Sequence, residues 1–326
     1  MKRYGRHIAA ALGSFLVVIL LNFALPRLLP GDPVAYLSGY AEEDLSAAKK
    51  EYYRQALHLD ESLPAQFGWY LRSLADGSLG YSYKKETAVS ALIGSRIGQT
   101  LQLTVPAVIL SAGIGLAWGL LCGYSKDSAG DRLSTAFFLI LNAVPGFVIA
   151  LALLIGLCFR TDLFPYAGLN SPGMSPGAPG FLADRLRHLV LPVLTLTLAA
   201  LPSRYLLLRN TAARASREPY ILYARERGLS PARIRWSYLL KNIAQPFLTM
   251  VGMSVGLCLG GSLVVERIFS IDGMGQLLND AVYTLDYPLM QGILFVTTAI
   301  MTASIIVTDL LCLWLDPRAG KGEDHE

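Results

Sequence analysis

Apolar residues in this chain gather into long, nearly unbroken runs separated by polar segments. Runs long enough to cross a hydrocarbon core of about 30 Å lie at 8–29, 101–124, 133–158, 189–208, 247–265 and 289–315. Lipid offers a bare backbone no hydrogen bonds, so segments this long and apolar are expected to be helices. Residues 34–97 are mixed in character. There 42–59 reads as a charged helix, and 63–74 as an amphipathic one with Phe67, Tyr70, Leu71 and Leu74 at helical spacing. A turn follows around Gly77 and Gly80, and Pro172, Pro176 and Pro179 mark 159–187 as a loop.

Composition agrees: the 326 residues are 53% hydrophobic and 16% charged, a membrane profile. The expected fold is an all-α polytopic membrane protein of about six transmembrane helices, with both termini cytoplasmic. Lys2, Arg3 and Arg6 hold the N-terminus inside. The first run ends in Leu25-Pro26-Arg27 with no small-x-small cleavage site, so a retained anchor is expected. The division is 1–30 as first transmembrane helix, 31–97 extracytoplasmic, 98–318 as membrane core and 319–326 as cytoplasmic tail. The net charge of +4 concentrates beside the runs and is no nucleic-acid signal. Cys122, Cys158, Cys258 and Cys312 lie within or at the ends of apolar runs, without close spacing, and read as small hydrophobes; no metal site is suggested.

Small residues mark where helices approach. Gly113, Gly115, Gly119 and Gly123 do so in the second run, and Gly252, Gly256 and Gly260 recur every four residues in the fifth. Asn142, Pro145 and Gly146 interrupt the third run, where freed carbonyls need inward-facing partners. Asn142, Pro145, Gly146, Gly256 and Gly260 are the pore-lining candidates.

The segment 209–246 differs from the rest, with seven Arg and one Lys against two Glu. Basic loops are ordinary on the cytoplasmic side, but this one carries punctuation. Pro219 suits a first helical position, and Gly228 sits where a helix closes in a left-handed turn. Ser230-Pro231 reads as an N-cap followed by a first-turn proline. A short helix, a sharp turn and a second helix are therefore expected, with Ala224 small enough for close approach by a partner surface.

This pattern resembles the cytoplasmic "EAA" loop of ABC-importer permeases, with Tyr223-Ala224-Arg225 in place of Glu-Ala-Ala. Ala224 to Leu229, ARERGL, is similar to the ARAKGL of the oligopeptide, dipeptide and nickel branch. Similar motifs cover nearly the whole chain. They include PGDP at Pro30 to Pro33, GSLGYS from Gly77, His188 before Leu191-Pro192, and Glu266 with Phe269 and Gly273-Met274-Gly275. Asp286-Tyr287-Pro288 with Gln291-Gly292, and Leu315-Asp316-Pro317-Arg318, complete the match; Asp272 departs from it, standing where proline is usual. The resemblance implies an importer permease for peptides or for nickel and other metal chelates, in a bacterial plasma membrane, working by alternating access. It implies a homologous second permease, two cytosolic ATPases that bind ATP and Mg, an extracytoplasmic solute-binding protein and surrounding lipid as partners. Pro219, Tyr220, Tyr223, Ala224, Arg225, Glu226, Arg227, Gly228 and Leu229 would couple this chain to the ATPases.

No phosphate-cradling G-x-x-x-x-G-K-[ST] loop is present, so no cofactor is expected on this chain. An ion-coupled secondary carrier would bury more ionisable residues than Asp309, with Arg204 and Glu266 near run ends. An intramembrane enzyme using Asp309, His188 or Glu266 lacks a nucleophile–base pair.

Overall fold

The computed structural model describes residues 2–28, 33–38, 46–258 and 262–315. The order is α1 (Lys2–Leu28), α2 (Pro33–Ser38), α3 (Ala47–Ala56), α4 (Leu63–Ala75), a two-strand ribbon of β1 (Tyr81–Ser82) and β2 (Thr87–Ala88), then α5 (Val89–Tyr124). Next come α6 (Ala129–Ala143), α7 (Gly146–Leu154), α8 (Phe181–Ala215), α9 (Pro219–Glu226), α10 (Pro231–Arg233) and α11 (Leu240–Leu257). The last are α12 (Leu263–Ile268), α13 (Met274–Tyr283) and α14 (Tyr287–Leu315). Helices thus stand at every apolar run. Among the described residues, α5, α8 and α14 are each long and apolar enough to cross a membrane. The α6–α7 pair makes a fourth if its 95° bend lies within one span. The apolar stretch of α1, Ala9–Ala24, is shorter, and α11 stops at Leu257 before residues outside the description.

The bend is local chemistry. Pro145 forces its predecessor into extended backbone, and Val144 has ψ 120° as the C-cap of α6. Two wide π turns, Ile155–Phe159 after α7 and Ile234–Leu239 before α11, have no sequence signature. The predicted helix at 42–59 is described as α3, capped by Ser46, whose hydroxyl accepts from the Lys49 N–H; residues 42–45 lie outside the description. So do Pro30, Gly31 and Asp32 of the PGDP element, Gly260, and the segment from Asp316 onward.

The chain divides into two compact units, the first comprising Met1–Leu101, Leu259–Glu266 and Asp272–Thr302. Its core is Val89 and Ile93 of α5, Met274, Leu277 and Ala281 of α13, and Leu289 and Ile293 of α14. The Gly-Ser-Leu-Gly-Tyr-Ser and Asp-Tyr-Pro motifs meet here. Ser82 donates to Asp286, and Asp286 caps α14 by accepting the Leu289 N–H at 3.2 Å. Gln291 donates to the Asn22 carbonyl of α1, and a Cβ on Gly292 would strike Val89. Asp272, in place of the usual proline, pairs with Arg96 at 2.6 Å.

Glu266 explains the glycines beside it. Its carboxylate is fully buried and accepts the Thr100 and Ser262 hydroxyls, each at 2.7 Å, and the Gln276 N–H at 2.9 Å. A Cβ on Gly273 would overlap Glu266 and Thr100, and one on Gly275 would come within 2.8 Å of the Leu263 backbone.

The second unit comprises Gln102–Cys258, Arg267–Ile271 and Ala303–Glu326. Here α5 and α8 touch along a glycine stripe. A Cβ on Gly115 would lie 3.1 Å from the Arg204 Cβ, on Gly119 3.0 Å from the Leu208 Cβ, and on Gly123 2.6 Å from both Ala212 Cβ and the Arg209 carbonyl. Gly113 faces open space, so it is not part of the contact. Gly252 of α11 packs on α14: a Cβ there would overlap Thr308, and Ser304 donates to its carbonyl at 2.7 Å. His188 is a hydrogen-bonded anchor, its Nδ1 donating to the Asp184 carbonyl at 2.9 Å.

Candidate functional site

The punctuation of 209–246 produces a small, well-defined device. Glu218 is the N-cap of α9, and Pro219 occupies a first-turn position where its missing N–H costs nothing. At the other end Gly228 takes φ +71°. The Leu229 N–H bonds the Ala224 carbonyl at 3.2 Å and the Gly228 N–H bonds the Arg225 carbonyl at 2.9 Å. This pair of bonds around a left-handed glycine is the Schellman closure. The Ser230 hydroxyl then accepts the Arg233 N–H, starting α10.

One face of α9 is buried. Ile221 and Ala224 enter a core with Leu120 of α5, Leu208 and Ala212 of α8, and Ile234, Leu239 and Ile243 beyond the turn. Ala224 is 3% exposed. Its small side chain lets α9 sit close against its own chain, and it also borders the depression beside Tyr220 and Tyr223. Leu229, half-buried, packs on the same cluster. Arg225 and Arg235 both lie over the Tyr124 ring, at 4.6 and 5.5 Å from its centroid, and fasten the device to the end of α5.

The other face is open. Tyr220, Leu222 and Tyr223 are exposed, Tyr223 by 69%, together with Glu226 and Arg227. Tyr220 and Tyr223 border a depression of about 310 Å³ with Arg227 and Tyr238. Partial burial, and then neighbouring Glu218, push the Tyr220 phenol up, so it stays protonated. An open surface of two tyrosines and a leucine, edged by Arg227, has the composition of a protein-docking patch.

Upstream, Arg209 of α8 pairs with Asp131 of α6. Nε donates to Oδ1 at 2.8 Å and Nη2 to Oδ2, a two-pronged contact on a nearly fully buried carboxylate. Sequence reading missed this pair, whose members are 78 positions apart. Among the pore candidates, Asn142 and Pro145 are exposed at the α6–α7 bend, Gly146 is half-buried beside Ala199, and Gly256 is buried in α11.

The model of the binding-protein-dependent transport system inner membrane component matches residues 115–321. The chain belongs to that family. The matched range includes α9, the Gly228 turn and Glu266, and the resemblance to ABC-importer permeases holds for this permease. A Brucella ovis protein bearing a peptide permease name is 33% identical over 323 residues, 98% of this chain and 99% of its own. The di/tripeptide transport system permease protein of Pseudomonas aeruginosa is 32% identical over 332 residues, 96% of this chain and 97% of its own. A peptide ABC transporter permease of Sinorhizobium fredii is 30% identical over 313 residues, with 96% and 97% covered. This permease is an integral membrane, predominantly helical transport subunit rather than an enzyme.

Proposed function

We propose that this chain is one of two permease subunits of a bacterial plasma-membrane importer of peptides. A solute-binding protein delivers the peptide from outside, and two cytosolic ATPases hold ATP and Mg. Residues 1–30 anchor the chain, 31–97 form its extracytoplasmic segment, 98–318 carry the solute pathway, and 319–326 end it in the cytoplasm. The single observation that carries the reading is α9: one face built into the permease core, the other presenting Tyr220, Leu222 and Tyr223. An element fastened on one side and open on the other transmits a push. ATP-driven closure of the ATPases against α9 would move α5, α8 and α11 together and alternate access to the pathway. Pro219 and Gly228 set where the helix begins and leaves; Arg225 fixes its tilt on Tyr124, and Leu229 anchors its exit.

The names of the relatives favour peptide over nickel or other metal chelates as cargo. The test is uptake into vesicles carrying this permease, its second permease and both ATPases, supplied with the binding protein. ATP-dependent accumulation of labelled trialanine is expected. Accumulation of nickel chelate and no peptide would redirect the cargo, and uptake driven by an ion gradient without ATP would overturn the importer reading.

A further inference from the structure

Arg204 lies near the end of an apolar run, yet its guanidinium is not at a helix end. Side chains on a helix lean toward its N-terminus, and this one leans back to the level of Val108 and Ser111 in the body of α5. It donates to the Val108 carbonyl at 3.1 Å, to the Ser111 hydroxyl, and to the Ser254 hydroxyl of α11 at 2.9 Å. Both serines send their own O–H back to carbonyls four residues earlier, Ala107 and Met250, so their oxygens face the arginine as acceptors. The site is built around a cation.

What is missing is the counter-charge. Arg204 is 7% exposed, its three acceptors are neutral, and among the described residues no carboxylate forms an ion pair with it. A cation in a membrane-spanning helix without an anionic partner is costly, and such a residue marks a path for charge. Val108 and Ser111 are 16 and 13 residues before Tyr124, where α5 ends, so the guanidinium sits roughly 20 Å along the helix from that end, within the apolar run.

Beside Arg204, α8 and α11 bound a groove of about 590 Å³. Ser203, Gln245 and Thr249 give it polar groups, and Met250 and Met253 give it adaptable walls. A guanidinium has five N–H donors; the three contacts above leave two, the number a two-pronged carboxylate contact takes.

We propose that Arg204 binds the terminal carboxylate of a short peptide during passage, while the methionine-lined groove accepts its variable side chains. This rests on the peptide-importer reading above.

The test compares ATP-dependent uptake of trialanine and trialanine amide by vesicles of the complete transporter with its binding protein. The binding protein meets both solutes first, so the informative quantity is the change in their ratio on substitution. Arg204→Gln should lower trialanine uptake by roughly tenfold to a hundredfold relative to the amide, and Arg204→Lys, which keeps charge but loses the fork, should fall between. An unchanged ratio with efficient trialanine uptake overturns the Arg204 site and leaves the importer reading standing. Wild-type vesicles that take up neither peptide overturn the importer reading itself. Should Arg204→Gln fail to assemble, Met253→Cys reports instead, with maleimide labelling read at residue 253 by peptide mapping so that native Cys258 and Cys312 do not contribute: trialanine should slow that labelling and trialanine amide should not. Equal protection by both, or by neither, contradicts the proposal.

Discussion

The Leu229 backbone N–H meets the Ala224 carbonyl at 3.2 Å across Gly228, closing α9 with a residue whose own side chain shares a core with Ala224. Nothing lies within 4 Å of a Cβ placed on Gly228, so the cost of a side chain there is purely conformational. Gly228→Val should lower thermal stability in detergent by about 1–2 kcal/mol, and Gly228→Asn by less, since Asn tolerates the left-handed region. Equal melting of all three proteins would show that the turn is not held left-handed.

Ala224→Glu should act first on folding. It places a carboxylate among Leu120, Leu208, Ile234 and Ile243, where an unpaired charge costs several kcal/mol. We expect poor yield and an early melt before any partner is added; a normal melt would mean that α9 lifts away from this core.

Asp131→Asn removes the charge that pairs with Arg209 and should cost about 1–3 kcal/mol. The double replacement Asp131→Asn with Arg209→Gln should recover part of that loss, measured as a coupling energy from denaturation midpoints. Strict additivity would mean the two residues do not support one another.

The glycine stripe makes opposite predictions at neighbouring positions. Gly123→Ala puts a methyl 2.6 Å from Ala212 and should destabilise by about 1–3 kcal/mol. Gly113→Ala meets nothing within 4 Å and should be neutral or stabilising by up to about 1 kcal/mol. Equal melting shifts would show that α5 and α8 do not meet along this stripe.

Glu266→Gln tests the buried cluster. Two hydroxyls and an N–H donate to the carboxylate, and an amide nitrogen cannot accept. At least one donor is left unsatisfied, at about 1–3 kcal/mol. A variant as stable as the parent would contradict this hydrogen-bond arrangement.

Local features were legible in the sequence. The Pro219 start, the Gly228 turn and the Ser230 cap each depend on residues within a few positions, and so does the break at Pro145. Long-range matters were not. Which face of α9 is buried is decided by Leu120, far back in α5, together with Leu208 and Ile243 on the helices flanking α9. Arg96, which answers Asp272, is 176 positions off. Arg204 looked like a flank residue because sequence position gives the depth of a backbone atom, not of a guanidinium reaching back toward Ser111.

The most direct test of the account substitutes the open face of α9 and leaves its buried face alone. Tyr223→Glu changes a side chain that is 69% exposed, so the permease should insert, melt normally and associate with its second permease. The measurement is copurification of the ATPases with the Tyr223→Glu permease from a cross-linker-free membrane extract. A loss of about tenfold or more, as for a central tyrosine at an interface, is the predicted result. ATPase recovery equal to wild type would contradict the central claim and leave 209–246 a basic cytoplasmic linker.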